Sequence, residues 1–259
     1  MPGPLIGMVH LGALVGAPHF ANDMHSVVQR AIDDAVTLER AGFDALLVEN
    51  FGDAPFFADA VPPVTVAAMA RALSAVIEAT SIAVGVNVLR NDAVSALSIA
   101  AACDASFIRV NVLSGTMFTD QGVIEGRAAE LSRLRSSLGP DIEILADVFV
   151  KHAVPPPGLT LTQAVEDLCE RGGADAIVVS GTGTGRPTEI ATIDEVRAAC
   201  GRLPIFVGSG ASIETIEQIL QHADGVIVGT AIEVDGRTTN PIDPERAAAF
   251  VAAARGASR

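Results

Sequence analysis

The chain has 259 residues, a formal net charge of −14 and 49% hydrophobic residues. This acidic balance, without any basic block, argues against nucleic acid and against an anionic membrane face, because both need surface lysine and arginine. No apolar run reaches the roughly 18 residues of a membrane span, and the N-terminus lacks a signal-peptide pattern, so we expect a cytoplasmic protein. Three cysteines without CxxC spacing predict neither a disulfide framework nor a structural zinc site.

Short β-branched apolar runs alternate with longer amphipathic segments. Strands are predicted at 5–9, 45–49, 82–88, 107–112, 142–148, 176–180, 205–208 and 225–229. Helices are predicted at 24–41, 64–79, 93–102, 124–138, 162–171, 193–200 and 213–222, and Asp243 and Pro244 can begin a last one. Eight such units in about 250 residues favour a closed barrel over an open doubly wound sheet. We therefore predict an α/β fold, a single (β/α)8 TIM-barrel domain over residues 1–259.

The connections indicate which face of this barrel carries the site. Links from helix to strand are short, whereas several links from strand to helix are long, among them 10–23, 50–63, 113–123, 151–161 and 181–192. In a parallel barrel the long links all lie at the carboxyl ends of the strands, where barrel enzymes hold their active sites.

Polar residues occur at strand positions that alternation turns toward the barrel interior. In the strand FIRVNV the alternate residues Ile108, Val110 and Val112 are expected to face the helices, so Arg109 and Asn111 face inward. The same alternation turns Asn87 inward. It also predicts that the side chains of Asp147 and Lys151 point to the same side of their strand. A ring of polar residues in a barrel needs a ligand, water or one another as partners. Three more residues end their strands at this rim: His10, Glu49 and Ser180.

Glycine-rich turns follow the seventh and eighth predicted strands. Glycine lets the backbone approach an oxyanion closely, and N–H groups at a following helix start attract phosphate. The alternative is that these glycines only make tight turns. The predicted phosphate-binding residues are Gly208, Ser209, Gly210, Ser212, Gly229 and Thr230.

The segment GTGTGRPT follows the sixth predicted strand. Its backbone donors, hydroxyls and one arginine suit a lid over an anionic ligand, with Thr182 and Arg186 as substrate-binding residues alongside Asn87, Arg109, Asn111 and Ser180. A flexible linker is the alternative, because the segment matches neither the dinucleotide fingerprint nor a Walker loop.

Lys151 is the only lysine among 17 lysine and arginine residues. A lysine desolvated in a barrel mouth can form a Schiff base or transfer protons, and Asp147 nearby could hold it charged or receive its proton. The alternatives are a simple anion contact or a salt bridge.

Carboxylates and one histidine complete the predicted catalytic group of Lys151, Asp147, Glu49 and His10. Glu49, Asp53 and Asp147 could act as general bases or hold Mg²⁺, and the alternative is a buried ion pair with Arg109. His10 is an acid/base residue or a rim histidine with satisfied hydrogen bonds. No zinc-hydrolase spacing occurs, so we expect no bound metal or cofactor, with Mg²⁺ as the one ion left open. The segment 90–92 is expected to form a polar wall and to begin a helix.

Seven stretches, spread over nearly the whole chain, resemble the BtpA/SgcQ family in order. They read IGMVHLGALVGAP, DALLVENFGDAPF, VGVNVLRND, FIRVNVLSGTMFTDQGVIEGRA, ILADVFVKHA, VVSGTGTGRP and FVGSGAS. The resemblance implies a barrel fold. One member of that family is named for photosystem I biogenesis, and relatives are associated with sugar transport and metabolism. Val15 stands where the family's first loop is expected to have proline, which leaves that loop's shape less defined by the resemblance.

Two functions follow from these patterns. The first is an isomerase or lyase that acts on a small phosphorylated metabolite, such as a sugar phosphate or a nucleoside-related phosphate. The second is a non-catalytic assembly or regulatory factor, for which Phe51, Phe56 and Phe57 offer a hydrophobic patch that could equally line a pocket or a homo-oligomer interface. An inward polar ring favours the enzyme, because a scaffold has no use for it.

Overall fold

The computed structural model describes residues 3–138, 141–181 and 188–256 and shows a closed barrel of eight parallel strands. The predicted (β/α)8 barrel is therefore confirmed. The strands are β1 (Leu5–His10), β2 (Ala45–Glu49), β3 (Ala83–Asn87), β4 (Phe107–Val110), β5 (Thr116–Thr119), β6 (Gly122–Glu125), β7 (Glu143–Val148), β8 (Ala153–Val154), β9 (Ala176–Val179), β10 (Ile205–Val207) and β11 (Gly225–Val228). The helices are α1 (Met24–Ala41), α2 (Pro63–Ala79), α3 (Ala93–Ala102), α4 (Ala128–Leu138), α5 (Leu161–Glu166), α6 (Ile190–Cys200), α7 (Ile216–Ile219) and α8 (Pro244–Gly256).

The barrel closes in the order β1, β2, β3, β4, β7, β9, β10 and β11, with β11 pairing back onto β1. Alternate residues of each strand form two separate hydrophobic clusters, because successive side chains point to opposite faces. One cluster lies between the strands and the surrounding helices. The other fills the lower barrel interior and comprises Ile6, Met8, Ala45, Leu47, Phe107, Leu145, Ala176, Val178, Phe206 and Ile227.

A small antiparallel sheet, in the order β6, β5, β8, adds to the carboxyl-terminal face of the barrel. The prediction of one helix over 124–138 is wrong at its beginning, because the segment up to Glu125 pairs with β5 and the helix α4 begins only at Ala128. Alternation explains the pairing, since Met117 and Ile124 bury their side chains against Val112 below the small sheet.

The sheet also fixes the segment that carries the only lysine. Residues 149–152, here called the lysine arch, connect β7 of the barrel to β8 of the small sheet. Phe149 and His152 adopt positive φ angles of 46° and 59°, which fold the arch back over the barrel mouth. Lys151 thus lies between two strands that belong to different sheets.

The segment after β10 contains less helix than predicted. Of residues 213–222 only Ile216–Ile219 is α-helical. Thr215 Oγ1 accepts a hydrogen bond from the Ser212 N–H at 2.9 Å, and such local bonds compete with helix formation. In the described ranges no helix combines the length and the hydropathy needed to cross a membrane.

Candidate functional site

The polar residues at the carboxyl ends of the first strands lie side by side. Strand register pairs His10 with Glu49 and Glu49 with Asn87. Each follows an interior residue by two positions, so its side chain points into the barrel, as alternation predicts. Asn87 Nδ2 donates to Glu49 Oε2 at 2.8 Å, and both side chains are buried. Asn87 therefore orients the Glu49 carboxylate.

Arg109 of β4 and Asp147 of the adjacent strand β7 form a buried ion pair. Arg109 Nε and Nη2 each donate to one carboxylate oxygen of Asp147, both at 2.8 Å. Ser180 Oγ also donates to Asp147 at 3.2 Å, and Asn111 Nδ2 lies 3.5 Å from it. For Asp147, the sequence left open a role as a general base, as a magnesium ligand or in an ion pair with Arg109. The observed geometry is that of the ion pair. Asn111 Oδ1 is buried and has no hydrogen-bond partner in the described chain.

Lys151 extends from the lysine arch into the barrel mouth. Arg90 Nη2 donates to the Lys151 carbonyl oxygen at 2.6 Å and so holds the arch in place. Burial lowers the pKa of Lys151, and the charge of Arg109 lowers it further, whereas Glu49 and Asp147 act in the opposite direction. No carboxylate of the described residues lies within 4.0 Å of this ammonium, so it is not committed to a salt bridge.

His10 lies between two carboxylates. Its Nδ1 is 2.7 Å from Glu233 Oε1, and its Nε2 is 3.8 Å from Glu49 Oε1. The ring of Phe51 packs against the imidazole at a centroid distance of 5.0 Å. Glu233 is 1% exposed, and its Oε2 has no partner in the described chain. The Glu233 carboxylate thus fixes the imidazole and leaves Nε2 facing Glu49.

Glycines line a cavity of about 220 Å³ beside His10 and Lys151. A Cβ atom on Gly208 would lie 2.5 Å from Val178 Cγ1, and one on Gly229 would lie 2.7 Å from His10 Cε1. The other residues predicted to bind phosphate also line this cavity. Arg246 of α8 adds a cation that the sequence analysis did not identify. The lining includes Gly208, Ser209, Gly210, Ser212, Gly229, Thr230 and Arg246.

One part of the phosphate argument is wrong. The helix after the first glycine loop begins only at Ile216 and has four residues, and Thr230–Ile232 is a 3-10 turn. The Ser212 N–H is already bonded to Thr215. The cavity is therefore lined by loop backbone and not by the first turn of an α-helix.

A second cavity of about 260 Å³ adjoins the first. Phe51, Arg109 and Lys151 line both cavities. The second is also lined by Glu49, Phe56, Arg90, Asn111, Asp120 and Gln121. Lys151, together with Phe51 and Arg109, therefore lies where a glycine-walled compartment meets one with acidic, amide and guanidinium groups. Two of the three phenylalanines considered as a patch line this site, while Phe57 is 57% exposed.

Other predicted residues lie elsewhere. Asp53 accepts hydrogen bonds from the Leu14 N–H and from Asn50 Nδ2, so it stabilises the loops near β1 and β2, and burial raises its pKa. Thr182 and Arg186, with the rest of 182–187 in the predicted lid, lie outside the described residues. Among the residues that are described, no group of three or more histidine, cysteine or acidic side chains is arranged to hold a metal ion.

Comparison with known proteins gives a family and a fold. The family model described as "BtpA family" matches residues 1–256. An uncharacterized protein of Thermococcus kodakarensis is 50% identical over 97% of this chain and 95% of its own length. The photosystem I biogenesis protein BtpA of Synechocystis is 46% identical over 96% of this chain and 87% of its own. The putative sgc region protein SgcQ of Escherichia coli is 30% identical, with coverage of 95% and 92%.

Solved structures with the same fold are more distant in sequence. Phosphoribosyl anthranilate isomerase from Thermus thermophilus superimposes with a TM-score of 0.60 at 13% identity, covering 98% of each chain. Orotidine 5'-phosphate decarboxylase from Pyrococcus horikoshii gives a TM-score of 0.58 at 18% identity, covering 97% of this chain and 99% of its own. At these identities the likeness shows the barrel fold alone.

Proposed function

The chain belongs to the BtpA family, and from that membership and the geometry of the barrel mouth we propose an isomerase or lyase that acts on a small phosphorylated metabolite. The observation that carries the proposal is the pair of adjoining cavities that share Lys151, one walled by glycines and one by polar side chains. Two of the solved barrels with this fold have names that specify phosphorylated substrates, which supports the same class.

In this proposal the phosphate occupies the cavity beside Gly208 and Gly229. A Cβ atom at either position would clash with a neighbouring side chain, so both positions require glycine, whose backbone an oxyanion can approach closely. Arg246 lines the same cavity and supplies positive charge. Loops after the last two strands of such barrels frequently bind phosphate.

The reacting part of the metabolite then lies beside Lys151. Burial lowers the pKa of Lys151, which favours the neutral amine that proton transfer or Schiff-base formation requires. In an isomerase this amine or Glu49 would take a proton from a carbon next to a carbonyl, and His10 would exchange a proton with the oxygen. In a lyase the amine would add to the carbonyl, losing water to form the Schiff base before a carbon–carbon bond breaks. Asp147 holds Arg109 rather than acting as the base.

Thermal unfolding with a ligand panel tests the proposal. The panel contains inorganic phosphate, ribose 5-phosphate, ribose and nucleotides, each with and without Mg²⁺. A ligand at 100 times its dissociation constant adds about 2.7 kcal/mol, and about 2–4 °C accompanies each kcal/mol in a chain of this size. We expect phosphorylated compounds to raise the unfolding temperature by roughly 5–11 °C and ribose to leave it unchanged.

A matched pair of variants locates the effect. Arg246→Gln removes a cation of the glycine cavity, whereas Arg71→Gln removes an exposed cation of α2. We expect the first variant to weaken phosphate binding and the second to bind like wild type. A panel in which no phosphorylated compound differs from its dephosphorylated form would overturn the proposal. The second candidate, an assembly factor like the named Synechocystis relative, would then be favoured. The exposed apolar row of Phe118, Val123 and Val154 on the small sheet offers a surface for it.

A further inference from the structure

Arg90 is a buried cation that forms no ion pair with the described residues. The residue follows β3, is 5% exposed and uses Nη2 to hold the Lys151 carbonyl. No carboxylate of the described chain lies within 4.0 Å of its guanidinium. Arg109, which is equally buried, has Asp147 on two hydrogen bonds. Because an unpaired buried charge is costly, the contrast indicates that the partner of Arg90 comes from outside the chain.

The surroundings of Arg90 place that partner in the second cavity. Arg90 lines this cavity, as Lys151 does, whereas the glycine cavity includes Lys151 but not Arg90. The two carboxylates of the same wall are Glu49, already bonded to Asn87, and Asp120, exposed in the turn between β5 and β6. A ligand group near Arg90 is thus separated by Lys151 from a phosphate in the glycine cavity.

We propose that Arg90 binds a second anion of the substrate, a carboxylate, so that the substrate is a phosphorylated carboxylic acid anchored at both ends. The inference rests on the proposed function, because the first anchor is the phosphate. A guanidinium presents paired N–H groups that match a carboxylate. Glu49 and Asp120 in the same wall favour a monoanion over a second, doubly charged phosphate group. The carbons between the anchors lie at Lys151.

Matched probes test this assignment without knowledge of the natural substrate. Glycerol 3-phosphate has a hydroxymethyl group where 3-phosphoglycerate has a carboxylate, and the two are otherwise alike. Sorbitol 6-phosphate and 6-phosphogluconate form a longer pair with the same difference. Calorimetry would measure the affinity of each probe for the whole chain. We expect the acid of at least one pair to bind tenfold or more tightly than its polyol, as a charge-assisted hydrogen bond predicts.

Variants of the guanidinium then identify its role. In Arg90→Gln the acid and its polyol should bind within about twofold of each other, because loss of the bond to the Lys151 carbonyl changes the affinity for both probes alike. Arg71→Gln should keep the preference for the acid. Arg90→Lys retains the charge without the paired donors, so part of the preference should remain. If Arg90→Gln fails to fold, the ratio of acid to polyol affinity in the wild type and in Arg90→Lys still tests whether Arg90 binds a carboxylate.

The possible failures are distinguishable. Equal affinity of acid and polyol in the wild type overturns the second anion while the phosphate site stands. A preference that persists in Arg90→Gln overturns the assignment to Arg90. Binding of neither inorganic phosphate nor any phosphorylated probe overturns the proposed function, and the carboxylate site with it.

Discussion

Removing the Asp147 carboxylate should strongly destabilise the fold. The Arg109 and Asp147 side chains are 2% and 0% exposed, and their pair has two hydrogen bonds of 2.8 Å. Asp147→Ala leaves the guanidinium buried without an anion, and breaking a buried pair in this way costs about 3–5 kcal/mol. At about 2–4 °C for each kcal/mol, we expect the unfolding temperature to fall by roughly 6–20 °C.

Circular dichroism during heating, at one pH and ionic strength, measures this change. The control is Glu130→Ala, which breaks an exposed pair with Arg127 on α4 and should cost only about 0–1 kcal/mol. The double variant Arg109→Met with Asp147→Leu should recover most of the stability, because apolar residues can replace a buried pair with little loss. A decrease for Asp147→Ala no larger than for Glu130→Ala would refute this reasoning.

Two other predictions concern titratable groups. Because burial lowers the pKa of Lys151 below its usual 10.5, its charged form destabilises the fold below the folded pKa, and this cost disappears as pH rises toward the unfolded value. Lys151→Met should therefore raise the unfolding temperature at pH 7 and lose that advantage near pH 10.5; an equal difference at both pH values contradicts it. Burial raises the pKa of Cys169 to about 11 and also raises those of Cys103 and Cys200. A thiol reagent at pH 8 should react slowly with the folded chain and rapidly in urea, and a fast thiol in the folded chain would contradict this.

The barrel was predictable because parallel strands buried on both faces must be apolar runs. Alternation along those runs also predicted the inward Arg109 and Asn87, since only two orientations exist for a strand residue. The hairpin of β5 and β6 was not predictable in the same way. Its strands are four residues each, and the second of them precedes a helix without a proline between them. Short apolar runs of this kind fit a helix start or a strand equally well.

The site was only partly predictable. His10, Glu49 and Asp147 lie at or next to strand ends and Lys151 follows the end of β7 by three residues, so the topology could place all four at one face of the barrel. Glu233 lies beyond the eighth barrel strand, in loop structure with no period, so nothing in the sequence indicated its contact with the imidazole. Arg246 reaches the glycine cavity from α8. Which residues of this helix point to the cavity depends on how the helix packs on the barrel, so the sequence alone did not indicate Arg246.

The lysine arch couples the reach of Lys151 to a part of the chain outside the barrel. Its far end is β8, which pairs with β5 of the β5–β6 hairpin, so the arch is anchored to this hairpin as well as to the barrel. Insertions or deletions in that hairpin could therefore adjust the size of molecule that fits beneath the amine while every barrel strand stays the same. The small sheet would then determine the size of the substrate. Related chains with different hairpin lengths would bind substrates of different sizes on the same barrel.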